Sequence, residues 1–107
     1  MIFIESPVFT DDVKELLTEE QYIRLQWYLV LNPTAGDLIR VTGGLRKLRW
    51  TALGRHGGKS GGTRTISYYA VADSQIRMIL IYRKGIKDDL TPREKSLLRR
   101  LNEDWQR

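Results

Sequence analysis

The stretch GLRKLRW, residues 44–50, is the place where the hydrophobic pattern of this chain changes its period. Before it, apolar residues recur at the roughly 3.6-residue spacing of a helix; from here on, they alternate as in a strand. The alternation predicts that Leu48 and Trp50 face a core, while Lys47 and Arg49 share the opposite face. That charged face is either simply solvated or built to bind an anion.

Working outward, the strand is predicted over residues 45–52, and two further strands follow at 63–71 and 76–83. The last one is apolar on both faces, as expected of a central strand. Between the first two lies LGRHGGKSGG, residues 53–62, whose glycines predict a loop. IFI near the N-terminus, residues 2–4, predicts a short buried strand. The three consecutive strands predict an antiparallel meander.

Three helices are predicted around these strands. Thr10 or Asp11 is expected to cap a short first helix, and Thr18 with Gln21 forms a capping box for the second. TPRE at residues 91–94 opens the third, with a cap, a proline at the first position and a glutamate at the third. This last helix carries an apolar stripe that packs on the sheet or on a partner: Leu97, Leu98, Leu101 and Trp105.

The element order predicts an α+β fold, namely a small, mainly antiparallel sheet with two N-terminal helices and a C-terminal helix packed on it. A chain of 107 residues is expected to form one domain, over residues 1–107. No apolar run approaches the roughly 18 residues of a membrane span. The N-terminal MIFIESP has no basic segment typical of a secretory signal. We therefore expect a cytoplasmic protein without a membrane partner.

Charge is distributed unevenly along the chain. Residues 1–37 carry two cations and seven acids, whereas residues 38–72 carry seven cations and no acid. Residues 73–107 carry nine cations and six acids. A basic segment this pure indicates a polyanionic partner, most often a nucleic acid, although a solvated basic surface would look the same.

Several kinds of chemistry are disfavoured by the residue inventory. The chain has no cysteine, and His56 is its only histidine, which excludes a ribonuclease that relies on two histidines. The candidate metal ligands Asp37, Asp73, Asp88 and Asp89 are scattered at predicted turns. We expect neither a metal nor an organic cofactor. What remains is cationic, and such side chains can bind phosphates or stabilise charge on a phosphoryl centre. On pattern alone, binding of nucleic acid is favoured over catalysis.

Three segments together point to a family. They are NPTAGD at residues 32–37, GGLRKLR at residues 43–49 and YRKGIKDDL at residues 82–90, with a glycine-rich basic loop and a TRTISYY strand between the last two. In these segments and in its order of elements, over roughly residues 2–105, the chain resembles the RelE/HigB toxins of bacterial toxin–antitoxin pairs. The likeness is greatest to the HigB-like branch.

The resemblance implies a ribosome-dependent, metal-free endoribonuclease that cuts mRNA in the ribosomal A site, by attack of a ribose 2′-hydroxyl on the adjacent phosphate. Lys47 and Arg49 match the paired cations of the catalytic strand, and Arg64 the arginine that orients the scissile phosphate. The better-known members place an arginine and then a tyrosine after the last strand. This chain has Tyr82 and Lys84 at the strand end, Lys87 beyond it and Thr91 near the place of that tyrosine. Tyr82 and Lys84 are therefore expected to take part in catalysis with the three cations. Lys47 and His56 are both open as the general base. The residues expected to contact RNA or the ribosome are Arg46, Arg55, His56, Lys59, Arg83 and Lys87.

By alternation, Arg64 shares its face with Ile66 and Tyr68, so it lies either at the strand mouth or on a face that is not wholly apolar. Two alternatives to the nuclease remain: a gyrase-inhibiting toxin of the ParE-like branch, or a nucleic-acid-binding module without catalysis. The resemblance also implies a cognate antitoxin that is HigA-like with a helix-turn-helix, through which operator DNA would be contacted indirectly. The other implied partner is the ribosome, through its rRNA and its A-site mRNA.

Overall fold

The computed structural model of the chain describes residues 1–50, 62–86 and 90–105. The predicted loop at residues 53–62 therefore lies almost wholly outside the described residues. The α+β class is confirmed. The elements, in chain order, are β1 (Ile2–Glu5), α1 (Pro7–Leu16), α2 (Glu19–Leu31), β2 (Asp37–Leu38), β3 (Arg46–Trp50), β4 (Thr63–Ala70), a 3₁₀ turn (Val71–Asp73), β5 (Gln75–Arg83) and α3 (Pro92–Trp105).

The first helix begins earlier than predicted, and neither Thr10 nor Asp11 caps it. Ser6 is the cap: its hydroxyl accepts a hydrogen bond from the backbone N–H three residues on at 3.1 Å and donates one to the Ile79 carbonyl at 2.7 Å. Pro7 occupies the first helical turn, where its fixed φ suits the helix and its missing N–H costs nothing. The Ser-Pro pair thus starts α1 and also ties it to β5.

Both predicted capping boxes are confirmed. Thr18 Oγ1 accepts from the Gln21 N–H at 3.1 Å, and the Gln21 side chain accepts from the Thr18 N–H at 2.8 Å. Thr91 and Glu94 make the same reciprocal pair at 3.1 and 2.9 Å. Each box satisfies two backbone donors that the first turn of a helix leaves without partners. These short motifs therefore set where α2 and α3 begin.

The five strands form one mixed sheet in the order β1-β5-β4-β3-β2. The strands β3, β4 and β5 follow one another as an antiparallel meander, whereas β1 pairs with β5 in parallel. The N-terminal strand was predicted to be buried, but β1 lies at an edge of the sheet and Ile2 is 60% exposed. In the part of the chain that the structure describes, no helix is long and apolar enough to cross a bilayer.

Apolar side chains pack on both faces of the sheet. Helices α1 and α2 cover one face, where Leu48 and Trp50 join a core with residues of both helices. The opposite face, which carries Lys47 and Arg49, is also apolar over part of its area, because the adjoining Leu45 is fully buried there beneath α3. The second core consists of Leu45, Ile66, Ile79 and Leu90.

A bulge in β5 shapes the α3-covered face. Ile66 lies opposite Leu80, but the next residue, Ser67, lies opposite Met78, so Ile79 is an extra residue in the ladder. As a result, the adjacent side chains of Ile79 and Leu80 both pack into the second core.

The apolar stripe predicted for α3 is only half correct. Leu98 and Trp105 pack against the second core, but Leu97 and Leu101 are 53% and 45% exposed. The side chain that α3 buries most deeply is polar: Asn102 is 3% exposed. Asn102 faces the sheet because it binds a buried arginine on β5, so the helix is rotated away from the orientation that leucines alone would select.

Candidate nucleic-acid-binding and catalytic site

The strand register brings three of the predicted catalytic side chains into one row. Arg49 of β3 lies directly opposite Arg64 of β4, and Arg64 lies directly opposite Tyr82 of β5. Side chains of directly opposed residues point to the same face of an antiparallel pair, with Cβ atoms about 5 Å apart. Lys47 occupies the next row on that face, opposite Ile66. We refer to Arg49, Arg64 and Tyr82 as the cationic row. Lys47 lies beside this row on the same face.

Within the described residues, the two arginines face each other without a countercharge. Among the described residues, neither Arg49 nor Arg64 forms an ion pair with a carboxylate. The Arg64 guanidinium donates a long hydrogen bond, 3.4 Å, to the carbonyl of Thr63. Like charges placed directly opposite on neighbouring strands repel. A bound anion would relieve this repulsion, and two guanidinium groups match the geometry of a phosphate.

The position of Arg64 explains how a charged side chain can share a face with apolar residues. It shares the α3-covered face with Ile66 and Tyr68, as alternation predicts. Ile66 is fully buried and Tyr68 packs against the same core, but Arg64 is only partly buried, near the start of β4. The face is therefore apolar beneath α3 and cationic at the end of the strand.

Grooves adjoin the row along the β2 side of the sheet. Lys47 lines two of them, with volumes of about 360 and 240 Å³. The larger one also contains Arg49, and Asp37 lies in both, opposite Lys47 in the strand register. Sequence reasoning had set Asp37 aside as a turn residue and had not considered Lys95, which lines the smaller groove. A two-residue strand such as β2 is too short to show alternation, so no pattern in the sequence could have found it.

The floor of the larger groove depends on a close backbone contact. Gly36 has φ +97°, and a Cβ atom at this position would lie 2.6 Å from the carbonyl oxygen of Lys47. The guanidinium of Arg46 donates a hydrogen bond to the carbonyl of Gly36 at 3.3 Å. Arg46 lies opposite Ser67 on the sheet face away from the row. Its observed contact therefore holds the 32–37 segment, and it is not brought together with Lys47 and Arg49.

We expect Gly36→Ala to lower the free energy of unfolding by about 3 kcal/mol. The added methyl group would clash with backbone atoms, and alanine would also have to adopt an unfavourable positive φ. Gly85→Ala is the matched control: its φ is +88°, but nothing lies within 4 Å of the added atom. It should cost about 1 kcal/mol. Urea unfolding of the two variants measures both values, and equal losses would contradict the proposed close contact.

Two further predicted residues lie outside the row. Arg83 is exposed and opposite Thr63, on the face covered by α1 and α2, where it lines a separate groove of about 200 Å³ with Trp50. Lys84 follows β5 in a turn, and its backbone N–H donates to the Gly62 carbonyl at 3.2 Å. The structure therefore places Arg83 on the face away from Arg64, whereas Lys84 lies just past the end of β5, two residues after Tyr82.

The hydroxyl of Tyr82 is buried although the residue as a whole is only partly so. This favours contact of the hydroxyl with protein over direct contact with a bound RNA. Four predicted residues fall outside the described part of the chain: Arg55, His56, Lys59 and Lys87.

Taken together, the described residues can bind a phosphate and stabilise extra negative charge on it. They offer two adjacent guanidinium groups, an ammonium group in the next row and an open groove. Within the described residues, no three side chains of the kinds that ligate metals come together. No protein-family model matches the chain.

Proposed function

We propose that this protein is the toxin of a toxin–antitoxin pair and acts as a metal-independent endoribonuclease on mRNA in the ribosomal A site. The observation that carries the proposal is the pair of opposed arginines, Arg49 and Arg64, which has no carboxylate partner among the described residues. The resemblance of the 32–37, 43–49 and 82–90 segments to RelE/HigB toxins supports the same function. Its fold is proposed to be RelE-like.

In the proposed reaction, Arg49 and Arg64 hold the nonbridging oxygens of the scissile phosphate. The ribose 2′-oxygen attacks phosphorus, and the bond from phosphorus to the 5′-oxygen of the next nucleotide breaks. The 2′-hydroxyl proton passes to a base, for which Lys47 and His56 are the candidates, and the leaving oxygen gains a proton. Negative charge grows on the phosphoryl oxygens, and fixed guanidinium groups stabilise it without having to reorient.

The cationic row alone does not explain a requirement for the ribosome. Cations outside the row could bind rRNA or hold the mRNA beside the site. Among the described residues, they include Arg46, Arg83 and Lys84. In the cytoplasm such an enzyme must be restrained, so we propose a cognate HigA-like antitoxin as its partner. That antitoxin would also connect the toxin to operator DNA.

Tyr82→Phe is expected to lower the cleavage rate by less than about tenfold. Because the Tyr82 hydroxyl is buried, we assign this residue to holding Arg64 in place rather than to proton transfer. Single-turnover cleavage on programmed ribosomes measures the effect. A loss as large as that of a catalytic arginine, with the pH profile changed as well, would instead make Tyr82 a proton carrier.

Primer extension on a defined mRNA tests the proposed function, using naked RNA and programmed ribosomes with a metal chelator present throughout. We expect cuts only on the ribosome. If naked RNA were cut at the same rate as ribosome-bound mRNA, the proposed dependence on the ribosome would be wrong. Absence of cutting in both settings would reject the nuclease and direct attention to gyrase inhibition.

A further inference from the structure

The outer edge of β1 offers unpaired backbone groups. The N–H groups of Ile2 and Ser6 donate to carbonyls on the β5 side, both at 3.0 Å. In a parallel ladder, alternate residues point toward the neighbouring strand, so Phe3 and Glu5 direct their N–H and C=O groups away from β5. Within the described sheet, β1 has no neighbour on that outer side. Such an edge is a template for pairing with another strand.

Apart from its short length, this edge has none of the usual features that prevent pairing. The strand reads IFIE, without lysine, proline or a bulge. Its single charge, Glu5, is engaged by hydrogen bonds from the hydroxyls of Thr10 and Tyr22. Burial raises the pKa of the Tyr22 phenol, and the Glu5 hydrogen bond raises it further, so Tyr22 stays a donor to Glu5. Among the described residues, the edge is therefore short, apolar and open.

An exposed apolar stripe of α2 lies beside the same edge. The helix buries Leu25 and Leu29, which leaves Trp27 64% and Ile23 48% exposed. A groove of about 230 Å³ runs there. Its lining residues are Phe3, Ile23, Gln26, Trp27 and Val30. A large exposed aromatic side chain in an apolar groove is typical of a protein–protein contact.

We propose that a second copy of this chain occupies this surface, with its β1 antiparallel to the first. If the two-fold axis passes between the Phe3 residues of the two copies, these residues pair with each other. Met1 of each copy then pairs with Glu5 of the other. Residues 1, 3 and 5 are those whose backbone points outward, so every free group on the edge gains a partner. Phe3 lies opposite Ile76 and packs against the core beneath α1 and α2. Both Phe3 rings and both copies of α2 therefore come to the same face of a continuous sheet.

The charges of α2 suit a two-fold arrangement. Its two acids, Glu19 and Glu20, lie in the first turn, and Glu20 is paired with Arg24 at 2.7 Å. The last turn, which ends at Leu31, carries no charge. Across a two-fold axis normal to the sheet, the helices run antiparallel, so the acidic start of one faces the uncharged end of the other. A symmetric contact thus brings no acids together.

This dimer is independent of the proposed nuclease activity. Arg49, Arg64 and Tyr82 lie on the opposite face of the sheet, and β1 pairs only with residues 75–78, at the far end of β5 from Tyr82. The cationic row therefore stays open in the dimer.

Cysteine cross-linking tests the strand pairing, because the natural chain contains no cysteine. In the proposed register, the two Phe3 Cα atoms are about 5.5 Å apart, within the span of about 4.4 to 6.8 Å that a disulfide bridges. Under mild oxidation we expect Phe3→Cys to form a disulfide-linked dimer at least ~10-fold faster than the exposed helix variant Leu97→Cys. Equal rates for the two variants would overturn the register.

Sedimentation of cysteine-free protein tests the groove. The wild-type chain should self-associate as its concentration rises to ~100 µM, and Trp27→Glu should weaken that association at least ~10-fold. Leu97→Glu, which places the same charge on an exposed leucine of α3, should leave it unchanged. A wild-type chain that stays monomeric, or equal effects of the two variants, would overturn the proposal.

Discussion

Arg64→Ala is expected to slow ribosome-dependent cleavage by ~10²- to 10³-fold, the range found when a group that stabilises transition-state charge is removed. Arg64 occupies the middle of the row, directly opposite both Arg49 and Tyr82. Its guanidinium is therefore placed to bind a phosphate together with Arg49. Arg64→Lys should restore only part of the rate, because a lysine keeps the charge but cannot bind a phosphate through two parallel hydrogen bonds.

Arg83→Ala is the matched control for Arg64→Ala. Arg83 is an exposed arginine near the same end of the sheet, but it lies on the other face. Its removal lowers the net charge equally and should reduce the cleavage rate by less than about fivefold. Single-turnover rates and urea unfolding of both variants separate loss of catalysis from loss of folding. If the two arginines mattered equally, net charge rather than the geometry of the row would explain activity.

The second large effect concerns stability: Arg77→Ala should lower the free energy of unfolding by about 3 to 5 kcal/mol, as when one partner of a buried charged network is removed. Arg77 is 2% exposed. Its guanidinium donates to Asn102 Oδ1 at 3.0 Å and to Gln75 Oε1 at 3.0 Å. It also lies over the rings of Tyr68 and Trp105, 5.3 and 5.8 Å from their centroids. This one side chain therefore fixes α3 to β5.

Asp73→Asn tests whether the buried contacts of Arg77 or its ion pair supplies that stability. The Asp73 carboxylate is 61% exposed and 3.9 Å from the Arg77 guanidinium, so its neutralisation should cost less than about 1 kcal/mol. Urea unfolding measures both variants. A loss from Asp73→Asn as large as that from Arg77→Ala would contradict the account of α3 docking. In either case Arg77 is buried and does not contribute to an RNA-binding surface.

Local rules predicted the parts of the fold that depend on a few neighbouring residues. Thr18 with Gln21 and Thr91 with Glu94 start helices as expected, because a capping box is complete within four residues. Alternation placed Lys47 and Arg49 on one face of β3. The face shared by Arg64 and Ile66 also followed from alternation alone.

The parts that could not be predicted depend on contacts distant in the chain. The register that places Arg49 opposite Arg64 is set by how β3 and β4 pair, and nothing within either strand specifies it. The rotation of α3 that exposes Leu97 depends on Asn102 binding an arginine 25 residues away. The start of α1 is different, because the Ser6-Pro7 pair that sets it is a local signal.

The most direct test of the central claim is the chemistry of the RNA ends that wild-type protein produces on programmed ribosomes in the presence of a chelator. Attack by the 2′-hydroxyl at a phosphate held by Arg49 and Arg64 predicts a 2′,3′-cyclic phosphate or its 3′-phosphate product on one fragment. The other fragment should then carry a 5′-hydroxyl. Fragments with a 3′-hydroxyl and a 5′-phosphate, or mRNA left intact, would contradict the account.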